Sequence, residues 1–227
     1  MKINFSVLLL VLLFAGHARA QTDSSRHSFA IVPCYDRYSV KESWAQMLAY
    51  LISEERAHPI NLQQIYQATG DNPLCYVKQH KQAFMDSILS LPEIKAFFPS
   101  DIQFYWDKNL TEKFGGEFYY GLYGAKNSTD SNKSLQSRHI DHSDTAYNKE
   151  AELNAVQLYL TPEGQKQFQI LTAGNIGNTL AILVDGRVIS APRVYMEVNH
   201  PFCEISGVFT KEEVAAIAAS INKAIGK

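Results

Sequence analysis

Two short apolar runs around Asp185-Gly186 constrain the fold of this chain more than any other feature. The stretch TLAILVDGRVISAP, residues 179–192, leads into the pair with Ile, Leu and Val and leaves it the same way. Asp-Gly tolerates positive φ at both central positions of a type I′ turn. The sequence therefore predicts a tight β-hairpin. We expect one of its faces to be buried and its edge to be open to a partner.

The segments around the hairpin predict a small α+β fold. NAVQLYLT, residues 154–161, alternates as a strand, and Thr161-Pro162-Glu163 is typical of a helix start. CEISG, residues 203–207, indicates another strand, and Thr210 with Glu213 predicts a capping box for the last helix. The order strand, helix, three strands, helix predicts a small mixed or antiparallel sheet that two helices cover on one face.

The preceding region, residues 29–98, is predicted to be mainly helical. FAIVP is a short strand candidate at residues 29–33, and apolar spacing from Ser39 predicts an amphipathic helix. Weaker helical patterns follow at residues 61–70 and 77–91. We place an α+β domain at residues 99–227. It includes strand candidates DIQFYW and GEFYYGLYGAK and a polar stretch, in which we expect a short strand or turn around residues 135–140.

The first 28 residues have the composition of a leader. Lys2 precedes an apolar run and Ala18-Arg19-Ala20 is a small-x-small pattern, so residues 1–20 predict a signal peptide cleaved after Ala20. Residues 21–28 are polar and predict a flexible leader. We expect a secreted or periplasmic protein without stable membrane insertion, since the apolar run is shorter than a bilayer span.

Charge and cysteine content narrow the possible partners. The chain has a formal net charge of −2 at pH 7, which argues against a nucleic-acid partner. In an oxidising compartment three cysteines predict one disulfide and one thiol. We favour Cys34 with Cys75 because both belong to the N-terminal segment, and leave the other pairings with Cys203 open.

A series of motifs runs through the hairpin region in the order helix, turn, hairpin and strand. Its residues are Gly164, Phe168, Thr172, Asn175, Gly177, Asp185, Gly186, Ser190, Ala191, Pro192, Ile205, Gly207, Phe209, Thr210, Glu212 and Glu213. With these motifs, residues 150–224 resemble the head of the first periplasmic domain of SecD and SecDF, membrane proteins that assist the Sec translocon, and residues 83–150 resemble it less closely.

Two departures from the family bear on function. A Gly-Gly pair usual before the I-x-Gly strand is replaced by His200-Pro201, which stiffens that loop. The transmembrane helices of SecD have no counterpart, and proton-coupled transport needs ionisable groups within a membrane. The resemblance thus implies a stand-alone, non-enzymatic head module without a cofactor.

We expect this module to bind unfolded or extended polypeptide, or an envelope protein, and leave its oligomeric state open. The candidate partner-binding residues lie at the hairpin tip and in the loop before the CEISG strand: Asp185, Gly186, Arg187, Asn199, His200 and Phe202.

Two other segments contain residue types used in metal binding or hydrolysis. His139, Asp141 and His142 offer metal-ligand types within four residues, but a structural zinc site needs four ligands on a rigid frame, so we predict no metal. KESWAQMLAYLI resembles the nucleophile helix of papain-like peptidases, with Ser43 at the cysteine position. The alternative function is therefore an extracytoplasmic hydrolase or degenerate papain-like peptidase, with Ser43, Cys34 or Cys75 as nucleophile.

Overall fold

A computed structural model describes residues 27–53, 65–67, 70, 72–112, 116–126, 133–149 and 152–227. The predicted signal peptide and residues 21–26 of the predicted leader lie outside these ranges. The described α-helices are α1 Lys41–Ser53, α2 Gln82–Leu89, α3 Pro92–Lys95, α4 Pro162–Ala173 and α5 Lys211–Ala224. The described strands are β1 Phe29–Tyr35, β2 Ile65–Gln67, β3 Cys75–Lys78, β4 Ile102–Asp107, β5 Thr111–Glu112, β6 Phe118–Lys126, β7 Leu135–Gln136, β8 Ile140–Asn148, β9 Leu153–Leu160, β10 Leu180–Val184, β11 Arg187–Ser190 and β12 Phe202–Ser206.

Five strands close into a small barrel. β1 pairs antiparallel with β10, β10 with β11, β11 runs parallel to β4, and β4 pairs antiparallel with β6. Cys34 and Tyr35 of β1 then pair with Ala125 and Gly124 of β6, which completes the ring. The chain thus forms a closed barrel-like sheet within a mixed α+β fold.

Alternate side chains of all five strands fill the barrel. The buried interior residues are Cys34, Tyr123, Ala181, Leu183 and Val188, with Ala30, Val32, Tyr105 and Ala191 packed against them. Side chains of β10 that point the other way, Leu180, Ile182 and Val184, belong to a second core. Because all five residues of β10 are buried, both faces of this strand are covered.

A separate three-stranded sheet stands beside the barrel. Its order is β12-β9-β8, with β9 in the centre and antiparallel pairing throughout. Val156, Leu158 and Ile205 of this sheet pack with Phe168 of α4 and Ile217 of α5. The second core therefore lies between the three-stranded sheet, the two helices and the outer face of the barrel.

The N-terminal half contributes a third core. Trp106 of β4 and Leu122 of β6 pack against Met47 of α1 and Met85 of α2. Trp106 also donates from Nε1 to Asp86 at 2.7 Å, which fixes α2 on the sheet. Helix α1 confirms the helix predicted from Ser39 onward.

The structure corrects the predicted sheet. The hairpin β10–β11 has the expected turn, with φ of 52° at Asp185 and 72° at Gly186, but it does not share a sheet with β9 and β12. Its two edges pair with β1 and β4, so the edge that we expected to be open is closed. An uninterrupted apolar run is typical of a strand that is covered on both faces. A closed barrel with a second core outside it buries both faces of β10, whereas a half-exposed sheet would leave one face in water.

One helix prediction in the N-terminal region is wrong, and another is confirmed only in part. Residues 65–67, the central described part of the segment 61–70, form strand β2. The segment 77–91 begins in strand β3, and its helix α2 starts only at Gln82. Pairing of β3 with the long strand β6 overrides the local helical pattern.

Candidate functional site

A cavity of about 290 Å³ opens between the barrel, α4 and the three-stranded sheet. Its walls are mainly apolar. It is lined by Ile31, Phe168, Thr172, Leu180, Ile182, Pro192, Arg193, Val194, Tyr195, Met196, Val198, Cys203, Glu204 and Ile205. A concave apolar site with few polar groups is the usual form of a binding pocket.

The segment 192–198 forms the rim of the cavity and is held by main-chain bonds. Gly177 donates to the carbonyl of Val194 at 2.8 Å, and Val194 donates to that of Asn178 at the same distance. Farther along, the N–H of Val198 donates to Thr172 Oγ1 on α4 at 2.9 Å. The anchored rim nevertheless presents Tyr195 at 82% and Met196 at 69% exposure. Large apolar side chains held in water beside an apolar cavity indicate an interaction site.

Strand β12 borders the cavity and forms an edge of its sheet. Among the described strands β12 pairs only with β9. Leu160 donates to the carbonyl of Pro201 at 2.8 Å, which sets the alternation of the antiparallel ladder. Cys203 and Ile205 consequently direct their main-chain groups toward β9. The N–H and C=O groups of Phe202, Glu204 and Ser206 point away from it, toward the open edge.

The opposite edge of the same sheet is capped by a side chain at its middle. Asn222 of α5 accepts from the N–H of Ser143 at 2.9 Å and donates to its carbonyl at 2.8 Å. Ser143 lies in the middle of β8, opposite Leu158 of β9. One edge strand of the sheet is thus capped by a side chain, whereas the edge beside the cavity is open in the described part of the chain.

Aromatic rings cross the outer face of the three-stranded sheet. His142 stacks on Tyr159 with ring centroids 4.1 Å apart and an angle of 9° between planes. Phe202 lies 6.4 Å from Tyr159, and His200 meets the edge of Phe202 at 4.5 Å. The residues His142, Tyr159 and Phe202 are directly opposite one another in the ladder. The row therefore reaches the open edge at its β12 end.

The hairpin tip is bound within the chain. Asp185 accepts from the N–H of Ser28 at 3.0 Å and lies 3.3 Å from the His27 ring. Burial acts to raise the pKa of the Asp185 carboxyl, but hydrogen bonds from Ser28, His27 and Ser220 outweigh it and hold the pKa below its usual value. These contacts give Asp185 a role in docking the chain before β1 onto the hairpin.

Arg187 at the tip is engaged as well. Its guanidinium lies 5.2 Å from the centre of the Tyr120 ring and donates to the carbonyl of Asp107 at 3.3 Å. Gly186 supplies the positive φ of the turn. The predicted part of Asp185, Gly186 and Arg187 in partner binding stays a prediction.

The other three predicted site residues precede or begin β12. Asn199 accepts from Gln165 of α4 at 2.8 Å, while His200 and Phe202 pack on each other at the end of the aromatic row. The structure therefore brings His200 and Phe202 to the start of the open edge and bonds Asn199 to α4, and the binding role of all three stays a prediction. Sequence reasoning missed Tyr195 and Met196. The detectable signal was a pair of large apolar residues in a segment without helix or strand periodicity.

The two histidines of the HIDH segment point to different environments. His139 is buried at 2% exposure, with Nδ1 accepting from the N–H of Gln136 at 3.1 Å, whereas His142 lies on the outer face. Burial, together with the charge of Arg138, lowers the pKa of His139. Within the described residues no group of three or more metal-ligand side chains is arranged to hold an ion.

The expected Cys34–Cys75 disulfide is not formed, and Cys203 is also a thiol. Cys34 lies opposite Ala125 of β6 and Cys75 opposite Leu122, three residues away on the same strand. Positions an odd number apart face opposite sides of a strand, so the two side chains enter different cores.

Burial also weakens the thiol version of the hydrolase alternative. It raises the pKa of the Cys34 and Cys203 thiols to about 12 and raises that of Cys75 further above its usual range. An attacking thiol must ionise, so these side chains are poor nucleophiles. Ser43 lies half-buried on α1, next to Trp44, whose ring packs edge-on against Phe98 at 5.7 Å.

The described helices include none with the length and apolar content that a bilayer span requires. The longest of them, α5, has 14 residues and carries Lys and Glu on its surface.

Comparison with known proteins agrees with the motifs. A family described as "SecDF, P1 head subdomain" matches residues 118–224. Protein translocase subunit SecDF of Thermus thermophilus is 43% identical over 63 residues, which are 28% of this chain and 9% of that protein. Protein translocase subunit SecD of Magnetococcus marinus is 29% identical over 120 residues, 53% of this chain and 22% of that protein.

The chain therefore spans less than a quarter of the length of these curated relatives. Among solved structures, one titled "Structure and function of a membrane component SecDF that enhances protein export" is 18% identical. The alignment covers 86% of this chain and 93% of that one, with a TM-score of 0.37.

Proposed function

We propose, from the premise that residues 118–224 form a SecDF P1 head subdomain, that this protein binds extended polypeptide on strand β12, outside the cytoplasm and in connection with protein export. The observation that carries the proposal is the open edge of β12 beside an apolar cavity. Main-chain pairing at a sheet edge gives affinity for an extended segment, and pockets for alternate side chains add to it.

The binding mode follows from the direction of the β12 main chain. A client segment would pair with the outward N–H and C=O groups of Phe202, Glu204 and Ser206 and become a fourth strand of the sheet. Its inward side chains would lie next to Cys203 and Ile205, which line the cavity. Tyr195 and Met196 would cover the same side chains from the rim.

The contrast between the two sheet edges supports this mode. Unpaired strand edges expose proteins to aggregation, and most are covered or blocked. Here Asn222 caps β8, whereas β12 is left open next to exposed apolar residues. An edge that is left open beside a pocket is consistent with use by a partner.

The test compares an unfolded client with its folded form. A secretory protein that is reduced and carboxymethylated, so that it stays unfolded, is titrated into the protein and binding is followed by calorimetry. We expect binding to the unfolded form and none to the same protein in its native state. Equal binding of both forms, or of neither, contradicts the proposal.

Two variants locate the site. Tyr195→Ser with Met196→Ser removes the exposed rim and is expected to weaken binding at least tenfold at an unchanged melting temperature. The control is Tyr147→Ser, which removes an equally large ring, 56% exposed, from the far end of β8. If the control weakens binding as much as the rim variant, the cavity is not the site.

A further inference from the structure

The three-stranded sheet carries negative charge on its exposed side. Strands β8, β9 and β12 contain three carboxylates, Asp141, Asp144 and Glu204, and no lysine or arginine. Asp141 is bonded to Lys227 at 3.2 Å, and Asp144 lies 3.8 Å from Nε2 of His142. Glu204 accepts one neutral hydrogen bond, from Asn148 at 3.0 Å. In the described part of the chain, the carboxylate at the open edge is therefore bonded to a neutral amide and not to a cation.

Strand pairing places these side chains in rows across the sheet. Asp144, Gln157 and Glu204 are directly opposite one another and form one row. The aromatic row of His142, Tyr159 and Phe202 is the neighbouring row on the same face. A strand added to β12 would extend both rows, because residues paired across an antiparallel ladder share a face. Its outward side chains would stand beside Glu204 and beside the ring of Phe202.

The inward side of such a strand meets different chemistry. Side chains opposite Cys203 and Ile205 enter the apolar cavity, whose walls include Phe168, Ile182 and Val198. Glu204 and Arg193 are the charged residues among those that line this cavity. Successive residues of the client therefore face an apolar pocket and an acidic, aromatic surface in turn.

We propose that the β12 site selects extended segments in which apolar residues alternate with lysine or arginine. This inference rests on the proposed polypeptide binding and adds the pattern of the client. Opposite charges that face each other across a strand pair stabilise it, and like charges destabilise it. A cation beside an exposed aromatic ring gains further attraction.

The test uses three peptides of about nine residues, blocked at both ends, with valine at alternate positions. The other positions are all lysine, all threonine or all glutamate. We expect the lysine peptide to bind at least about fivefold more tightly than the glutamate peptide, with threonine between them. A fourth peptide with the lysines and valines in two separate blocks has the same composition, and we expect it to bind more weakly.

A charge-reversal variant tests whether Glu204 determines the preference for lysine over glutamate in the peptide. Glu204→Lys is expected to reverse the order of the lysine and glutamate peptides. The matched control is Glu212→Lys, the same charge change on the exposed first turn of α5, and we expect it to keep the original order. A shift of equal size in both variants would mean that only overall charge matters, and would overturn the inference.

The outcomes separate this inference from the proposed function. If lysine, threonine and glutamate peptides bind with equal affinity, or if the block peptide binds as well as the alternating one, the pattern is wrong while strand addition stands. If none of the four peptides and no unfolded client binds, both proposals fail.

Discussion

The side-chain amide of Asn222 satisfies both main-chain groups of Ser143, at 2.9 Å and 2.8 Å, and caps the middle of the β8 edge of the three-stranded sheet. The Ser143 hydroxyl adds a bond to the carbonyl of Ala218 at 3.0 Å. Three hydrogen bonds therefore join helix α5 to Ser143 of edge strand β8. Among the described residues, no side chain caps the outward main-chain groups of β12 in this way. This difference between the two edge strands supports the proposed function.

We predict that Asn222→Ala destabilises the protein by about 1 to 3 kcal/mol, because it leaves the N–H and C=O of Ser143, a buried residue of β8, without partners. Urea unfolding measures the loss. The newly open edge is also expected to cause concentration-dependent association in light scattering. Asn199→Ala, at an exposed loop position, is the control and should change neither quantity. A monomeric Asn222→Ala of wild-type stability would show that the cap is dispensable.

Proline substitutions on β12 distinguish the role of its outward main-chain N–H groups from that of the N–H groups bonded to β9. Glu204→Pro removes an N–H that points away from β9, and edge strands tolerate proline there. We expect this variant to fold and to lose binding of the threonine peptide. Ile205→Pro removes an N–H directed toward β9, and with it a ladder hydrogen bond, so we expect it to destabilise the fold clearly more than Glu204→Pro.

Calorimetry and thermal unfolding together check this pair of variants. Glu204→Gln keeps the main-chain donor while removing the charge, so it should bind the neutral threonine peptide like the wild type. Normal binding by Glu204→Pro would contradict strand addition, because the outward N–H of residue 204 is one of its main-chain donors.

The cysteines are predicted to resist thiol reagents in the folded protein. Burial raises the pKa of Cys34 and Cys203 to about 12, so the reactive thiolate is scarce at pH 8. Ellman's reagent should react slowly with the native protein and rapidly with three thiols in guanidinium. Reaction of a single thiol after unfolding would reveal a disulfide and contradict the free thiols.

Gly164 is expected to tolerate no side chain. A Cβ at this position, in the first turn of α4, would stand 2.0 Å from the carbonyl oxygen of His139. That carbonyl already accepts from the N–H of Thr161 at 3.0 Å, so it has no room to move. We predict that Gly164→Ala costs about 2 to 3 kcal/mol in urea unfolding. Gly174→Ala, where the nearest atom is 3.3 Å away, is the control and should cost clearly less.

Local signals in the sequence were enough for the hairpin turn and the helix starts. Asp185-Gly186 takes the expected positive φ values, Thr161 accepts from Gly164 at 3.0 Å, and Thr210 forms the predicted capping box with Glu213. Each of these depends on residues at most three positions apart. Side-chain and backbone chemistry at that range can be predicted without knowledge of the fold.

The barrel and strand β8 could not be predicted in this way. Closure of the ring depends on Cys34 meeting Ala125 and on Arg187 meeting Trp106, contacts between distant parts of the chain. Strand β8, with the sequence IDHSDTAYN, has too few apolar residues to show a period of two. It is held by pairing with β9 along one side and by the bonds of Asn222 to Ser143 on the other. The open β12 edge was missed for the same reason, since an edge is defined by strands elsewhere in the chain.

Acid is predicted to destabilise the fold through His139. The folded state lowers the pKa of this imidazole, mainly by burial and also through the charge of Arg138, while the Glu163 carboxylate 4.0 Å away opposes the shift. Nδ1 accepts from the N–H of Gln136, so a second ring proton would face another donor. The unfolded chain therefore binds the proton more readily than the folded one.

The sign of the effect follows from that difference. Stability from the neutral imidazole is complete above the unfolded pKa of about 6.5 and decreases as the pH falls from there toward the lower pKa of the folded state. We expect the melting temperature to drop between pH 7 and pH 5. His139→Asn keeps an acceptor for Gln136 but does not titrate, so its melting temperature should fall less over that interval. A variant that loses as much stability as the wild type would show that other groups cause the acid sensitivity.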